Sequence, residues 1–456
     1  MKKLSALILA LILACGMINV VSLAESNAAE GTLLYYIPGV SQFYHADPDC
    51  HAVSMTHRPL PASFTLGEAN NEAYRDLRPC KACGAPKQPA LPAKSSEALD
   101  LYKYAGFSDG TAKITKLLKD IENADIPAEL NGYKVVSIGP CAFRDCSSLK
   151  TVTIPEGVTS IEPSAFSSCE NLVSVTLPAS LDTVEAYSFA NCPRLETFSI
   201  SPDNTVFAFE NHALINKRDN SLVRFADPGN TGSYEIPGGI KQIETEAFAG
   251  AWLSSITIPD TVTSIHAAAF MCCSNLTGIV IPEGVTEIQQ QAFMSCSALE
   301  SISIPNSLTS VNSGVFTGCT SLTSIEISPD HPVYEVRGLV LIDKEKKTVV
   351  SASSAISGKY EIPGGLHNIR DNAFTECSLL TEVIIPDSLT SVGEYAFTAC
   401  SGLRAITVPA SVSYIGKEAF NTGRNVTVKG FAGSYAQQYC EKNGIRFVEL
   451  ENDANS

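Results

Sequence analysis

Residues 165–178 read Ala165-Phe166-Ser167-Ser168-Cys169-Glu170-Asn171-Leu172-Val173-Ser174-Val175-Thr176-Leu177-Pro178, and the pattern reopens at Phe189. Its phenylalanine recurs in one frame at Phe143, Phe166, Phe189, Phe248, Phe270, Phe293, Phe316, Phe374, Phe397 and Phe420, with spacings of 23, 23, 59, 22, 23, 23, 58, 23 and 23 residues. A short unit repeated in frame is the sequence mark of a solenoid. Within one unit, Leu172, Val175 and Leu177 pass from helical spacing to two-residue alternation, so a bend leads into a short strand. The unit is too small to close a core by itself. Stacking places each Leu, Ile and Phe on its copy in the next turn, with strands about 4.8 Å apart.

The Ile-Pro steps at Ile154-Pro155, Ile258-Pro259, Ile281-Pro282, Ile304-Pro305 and Ile385-Pro386 end each strand, because proline has no N–H for the ladder. The full unit, Ala-Phe-x-x-Cys-x-x-Leu-x-x-Val-x-Ile-Pro followed by forms of Val-Thr-Ser-Ile (158–161, 262–265), resembles the BspA-like class of bacterial leucine-rich repeats. The resemblance implies a leucine-rich repeat solenoid of short β-strands with irregular or helical turns on the convex side. It also implies an extracellular or surface-attached binding protein, often of adhesin type.

The two long gaps resemble one another. Ile200-Ser201-Pro202-Asp203 leads to Tyr234-Glu235-Ile236-Pro237-Gly238-Gly239, and Ile327-Ser328-Pro329-Asp330 leads to Tyr360-Glu361-Ile362-Pro363-Gly364-Gly365. Apolar runs broken by turn formers between them predict β-hairpins inserted near 201–235 and 328–361, within a duplicated unit of about 127 residues. The solenoid is expected over 98–430. An opening hairpin over 101–115 and a helix-strand cap over 431–450, started by Ser434 and stopped at Gly444, would cover its ends.

Lys2-Lys3, the apolar run Leu4 to Leu23 and Ser22-Leu23-Ala24 predict a secretory signal over 1–24; lipidation at Cys15 is the alternative. No later run of about 20 apolar residues follows, so no membrane span is expected in the mature chain. The formal net charge of −16, taken to −18 by loss of Lys2 and Lys3, argues against nucleic acid as a partner.

Eight of the 15 cysteines stand three residues after a repeat phenylalanine: Cys146, Cys169, Cys192, Cys273, Cys296, Cys319, Cys377 and Cys400. Parallel Cβ vectors at about 4.8 Å exceed the roughly 3.8 Å that a disulfide prefers, so a ladder of buried thiols is expected. Cys141, Cys272 and Cys440 lie outside this frame.

Residues 33–86 follow a different pattern, with Tyr44-His45, Cys50-His51 and Arg78-Pro79-Cys80-Lys81-Ala82-Cys83. His45, Cys50, Cys80 and Cys83 form a tetrahedral ligand set for one structural Zn²⁺, with His51 able to replace His45. With Glu68-Ala69, the segment resembles small α+β zinc-binding modules of the kind found in the Ada repair protein. A Cys80–Cys83 or Cys50–Cys80 disulfide is the competing reading. Residues 87–97 form a linker.

No phosphate loop, Gly-x-Ser-x-Gly elbow or His-Glu-x-x-His pair is present, so no enzyme is expected. His212, His266, His331 and His367 are expected at the surface. The outward strand row reads Thr153, Thr176, Ser199, Thr257, Val280, Ser303, Glu326, Ile384 and Thr407. Hydroxyl residues there also follow from strand propensity alone. Val280, Glu326 and Ile384 break the row and are the candidate ligand-binding positions. The expected function is a binding or adhesion scaffold for an extracellular protein or glycan. An envelope structural protein, or an enzyme accessory centred on the metal module, is the alternative.

Overall fold

The computed structural model describes residues 100–227, 229, 232–423 and 426–451, with the strands Leu33–Tyr36, Phe43–Tyr44, Ala62–Thr65 and Arg78–Pro79. Two units are distinguished, residues 1–93 with 105–110, and residues 94–104 with 111–456. In the first, Leu33–Tyr36 pairs antiparallel with Ala62–Thr65, and Phe43–Tyr44 pairs parallel with Arg78–Pro79. The segment 1–24, the linker and the ligand set His45, Cys50, Cys80 and Cys83 lie outside the described residues.

The second unit is a leucine-rich-repeat-type β-solenoid with almost no helix. Each turn carries two short strands where the sequence pattern predicts one. Thr151–Thr153 pairs parallel with Ser174–Leu177, placing Val152 beside Val175, and Ser160–Ile161 pairs parallel with Thr183–Val184. The second strand is two residues long, too short to display an alternation, and only its inward Ile is apolar.

The third side of each turn holds the phenylalanine and is built of turns instead of helix. Residues two before and two after the phenylalanine adopt positive φ, as at Ser164 and Ser168 (59° and 61°) or Ala268 and Cys272 (54° and 59°). Non-glycine residues avoid this conformation unless something offsets its cost. The offset here is a one-way hydrogen-bond ladder. Cys141, Phe143 and Asp145 donate their N–H groups to the carbonyls of Pro163, Ala165 and Ser167 in the next turn, at 3.1, 2.7 and 2.9 Å. Ser164, Phe166 and Ser168 repeat this onto Ala186, Ser188 and Ala190.

Inside, the phenylalanines stack: Phe248, Phe270 and Phe293 succeed one another at 5.2 Å between ring centroids. The thiols of Cys169, Cys192, Cys273, Cys296, Cys319 and Cys400 donate to the carbonyl of the preceding turn's phenylalanine at 3.0–3.1 Å. Cys146 and Cys377 have no such turn before them. They reach Arg144 O at 3.9 Å and Ser353 O at 3.7 Å. All eleven cysteines from Cys141 to Cys440 are free thiols. Burial pushes Cys319 up to about 12 and Cys146 and Cys272 to about 11, which suppresses the reactive thiolate. Among the described cysteines, alkylation of the native protein at pH 8 is therefore expected to label exposed Cys141 before the ladder, which reacts only after unfolding; rapid native labelling of Cys296 or Cys319 would contradict this.

Each insertion is an antiparallel meander of three strands. Phe207–Glu210, Ala213–Asn216 and Ser221–Phe225 form one, and Tyr334–Arg337, Val340–Asp343 and Thr348–Ala352 form the other. Both bulge at the same place, between Leu214 and Ile215 and between Leu341 and Ile342. The third strand of each rejoins the stack by pairing parallel with Gln242–Ile243 or Asn368–Ile369. The apolar interior divides accordingly into three clusters, which meet at the insertions. At the end of the solenoid, Ser434 caps the helix Tyr435–Asn443 by accepting from the Gln437 N–H, and Gly444 closes it at φ 66°.

Candidate binding surface

The outward row predicted from sequence lies on the first strand of each turn, and the meanders divide it. Glu235 stands beside Thr257, Val280 beside Ser303, and Ser303 beside Glu326, all within one five-stranded parallel sheet. Beneath them Ile279, Ile302 and Ile325 fill the core. Val280 is 68% exposed, and Glu326 two strands away is also exposed, about 10 Å distant by strand spacing. Ile384 belongs to a different sheet, between Glu361 and Thr407, and is half-buried. The structure thus brings Val280 and Glu326 onto one face and does not bring Ile384 to them.

The flanking row on the same strands is Ser255, Gly278, Ser301 and Ser324. A Cβ on Gly278 would stand 3.2 Å from Ser301 Oγ. The face around Val280 is therefore low and hydroxyl-lined, with one apolar side chain projecting from it and a carboxylate at its edge. Such a surface offers one apolar contact and many hydroxyl groups that can donate or accept hydrogen bonds.

One side-chain line has the look of chemistry. Ser264 Oγ lies 3.3 Å from His266 Nε2, and His266 Nδ1 lies 2.9 Å from Glu244 Oε2. Glu244 pushes His266 upward against the opposing effect of burial, which strengthens the pair that the two side chains form. Ser264 stands between Gln242 and Glu287 on a sheet face.

Expectation and structure differ at His331, which is fully buried instead of lying at the surface. Its Nδ1 accepts the N–H groups of Val333 and Tyr334 at 3.1 and 3.0 Å, and its Nε2 lies 2.9 Å from Pro305 O. The ring proton therefore sits on Nε2. Asn204, 127 residues earlier, does the same work: its amide donates to Pro178 O and Leu181 O, and its Oδ1 accepts from Val206 and Phe207. The pairing of His331 with Asn204 was available in the sequence through Ser-Pro-Asp-His and Ser-Pro-Asp-Asn. Sequence reading also passed over Arg224 and Glu246, which are 7% and 5% exposed. Nothing in their local pattern sets them apart from surface charges.

A family model described as BspA type Leucine rich repeat region (6 copies) matches residues 119–223, 221–333 and 353–441. No curated protein matches the chain. Among solved structures, a leucine rich cell surface protein from Faecalibacterium prausnitzii A2-165 is 22% identical, over 77% of this chain and 97% of that one, with a TM-score of 0.38. A leucine-rich repeat protein from Eubacterium ventriosum ATCC 27560 is 21% identical over 71% and 92%, with a TM-score of 0.40. A leucine-rich repeat protein from Bacteroides ovatus ATCC 8483 is 21% identical over 77% and 99%, with a TM-score of 0.35.

Proposed function

Since this chain belongs to the BspA-type leucine-rich repeat family, we propose that it is a non-catalytic binding scaffold, working outside the bacterial cell or at its surface on a protein or glycan. The observation that carries the reading is the open parallel sheet with Val280 projecting from rows of hydroxyl residues. Lys2-Lys3 and the apolar run after it support export. Among the described residues no helix is long and apolar enough to cross a membrane. The test is a screen of the full mature chain against matrix proteins, mucins and glycans, with Val280→Ser/Glu326→Ser in parallel. A ligand whose affinity falls tenfold or more in the double variant supports the assignment. Equal binding by both proteins places recognition elsewhere on the chain.

The amino-terminal segment carries a separate proposal. His45, Cys50, Cys80 and Cys83 hold one structural Zn²⁺, which leaves no coordination position open for chemistry. Its support is the Cys-x-x-Cys spacing with an upstream Cys and His. Metal analysis of the full chain is expected to give one zinc per protein, lost in Cys80→Ser/Cys83→Ser. A ratio near zero after refolding with zinc leaves the disulfide reading in place.

A further inference from the structure

The bend that leads from the phenylalanine side into the first strand of a turn is polar in most repeats, as at Glu170-Asn171, Ser274-Asn275 and Thr320-Ser321. One bend differs. Between Ala251, in the place of the ladder cysteine, and the buried Leu253 stands one residue instead of two, and it is Trp252, the chain's single tryptophan, 66% exposed. Leaving so large a ring in water forgoes the free energy that its burial would give, and a polar residue serves the other bends. The backbone under the ring is pinned. Elsewhere the Leu N–H donates to the cysteine carbonyl, as Leu172 to Cys169 and Leu276 to Cys273 at 3.0 and 3.2 Å. Here Asp227 intervenes: its Oδ2 accepts the Trp252 N–H at 2.7 Å and its Oδ1 the Gly229 N–H at 2.8 Å.

The surroundings decide what the ring can meet. The next turn is laddered onto this one by Gly250 N–H to Met271 O and Thr277 N–H to Ser254 O, at 2.8 and 3.1 Å, which sets exposed Ser274 and Asn275 beside Trp252. Glu300 N–H to Thr277 O and Thr323 N–H to Glu300 O carry the row on to Ser297-Ala298 and Thr320-Ser321. Trp252 therefore heads a strip of bends made of small uncharged residues, mostly hydroxyl and amide, in a chain of net charge −16. None of the other large apolar residues exposed among the described residues lies on these bends. A stable protein interface needs about 800 Å² on each side with an apolar centre, and one aromatic side chain supplies about 150–250 Å². An anion would find no cation on the strip, and the one carboxylate beside it, Glu300, stands two turns from the ring.

We propose that Trp252 is the stacking platform of a binding site for a neutral oligosaccharide, which continues from the ring over the Ser274-Asn275 bend. A pyranose has an apolar face of C–H groups and a rim of hydroxyls, so the indole covers the one and the serine and asparagine side chains pair with the other. Because Asp227 already fixes the backbone, little order has to be created on binding. Trp252 precedes the strand Ser255–Thr257, whereas Val280 ends the neighbouring strand Gly278–Val280, so this is a site of its own. The second half of the chain supplies a comparison: 127 positions on, Leu379 is 54% exposed before the buried Leu380. A leucine there keeps the fold and the apolar area but offers no flat face.

The test is fluorescence titration of the full chain, in which Trp252 is the only indole reporter, with cellotetraose, mannotetraose and lacto-N-tetraose, and with sorbitol and tetragalacturonate in parallel. A saturable shift of emission to shorter wavelength is expected with at least one neutral tetrasaccharide. Sorbitol should give none, and tetragalacturonate should bind at least tenfold more weakly. Saturation-transfer NMR then compares variants. Trp252→Leu, which copies the second half, is expected to lose transfer to the sugar, and Trp252→Phe, which keeps a ring, to retain part of it; circular dichroism checks that both fold. Residue and readout differ from those used for the Val280 face, so either site can fail alone. No shift with any neutral tetrasaccharide, transfer undiminished in Trp252→Leu, or tetragalacturonate binding as tightly as the neutral sugars would overturn the proposal.

Discussion

Phe270→Ala is expected to lower unfolding free energy by about 3–5 kcal/mol, the range for deleting a large aromatic from a packed core. Phe270 is fully buried, and it stacks between Phe248 at 14° and Phe293 at 2°. No other element can close over the space, because the turns above and below are held at fixed spacing by their ladders. The effect should also spread. In a stack of nearest neighbours, stability is a sum of unit and interface terms, and one truncated ring weakens two interfaces. Urea denaturation followed by circular dichroism should show an earlier, broader transition. Cys296→Ala, one turn on, removes only a small buried group and a weak donor, and should cost far less. A Phe270→Ala loss as small as that of Cys296→Ala would contradict the stacked core.

His331→Ala is expected to cost roughly 3 kcal/mol, since it leaves the N–H groups of Val333 and Tyr334 unpartnered in the interior and removes one of the two donors to the Pro305 carbonyl, which keeps the Leu308 N–H. His331→Asn is expected to recover most of the loss, because Asn204 makes the equivalent bonds in the first insertion. The same residue fixes a pH dependence. Burial holds His331 below its ordinary value, so the unfolded chain binds the proton more readily than the folded one. The contribution is complete above the unfolded value of about 6.5 and declines as pH falls through the folded value. Melting temperatures compared at pH 7.5 and 5.0 should show a steeper acid loss for the wild type than for His331→Asn. Equal slopes would mean that His331 does not titrate in this range.

The solenoid was legible because its signal is long-range. Ten phenylalanines in frame fix the turn length whatever each turn looks like locally, and Ile-Pro marks where each strand stops. What the pattern hid was the geometry of the side that carries the phenylalanine. Positive φ at residues as unlike as Tyr187, Ala268 and Glu418 leaves no compositional trace, because the ladder and not the side chain holds that conformation. The Ser-Ile strands were too short to show a period. At the candidate surface, Val280 and Glu326 could be placed by counting along the repeat. The separation of Ile384 could not, since it depends on the second meander interrupting the sheet. Arg224 and His331 lay beyond pattern reading for a related reason: a buried polar residue is identified by the backbone groups it must satisfy, and those of Arg224 and one of the three of His331 belong to turns 22–26 residues away.

The strands run across the direction in which turns accumulate, and their hydrogen bonds run along it. Tension applied along the stack would therefore load each bond lengthwise, breaking the few bonds of one turn before those of the next, instead of shearing a whole strand at once. Each turn of about 23 residues would release on the order of 75 Å of chain. A tether built this way yields in small steps at modest load and re-forms turn by turn when slack returns. The boundaries between the three apolar clusters, at the meanders, are where such peeling would pause or begin.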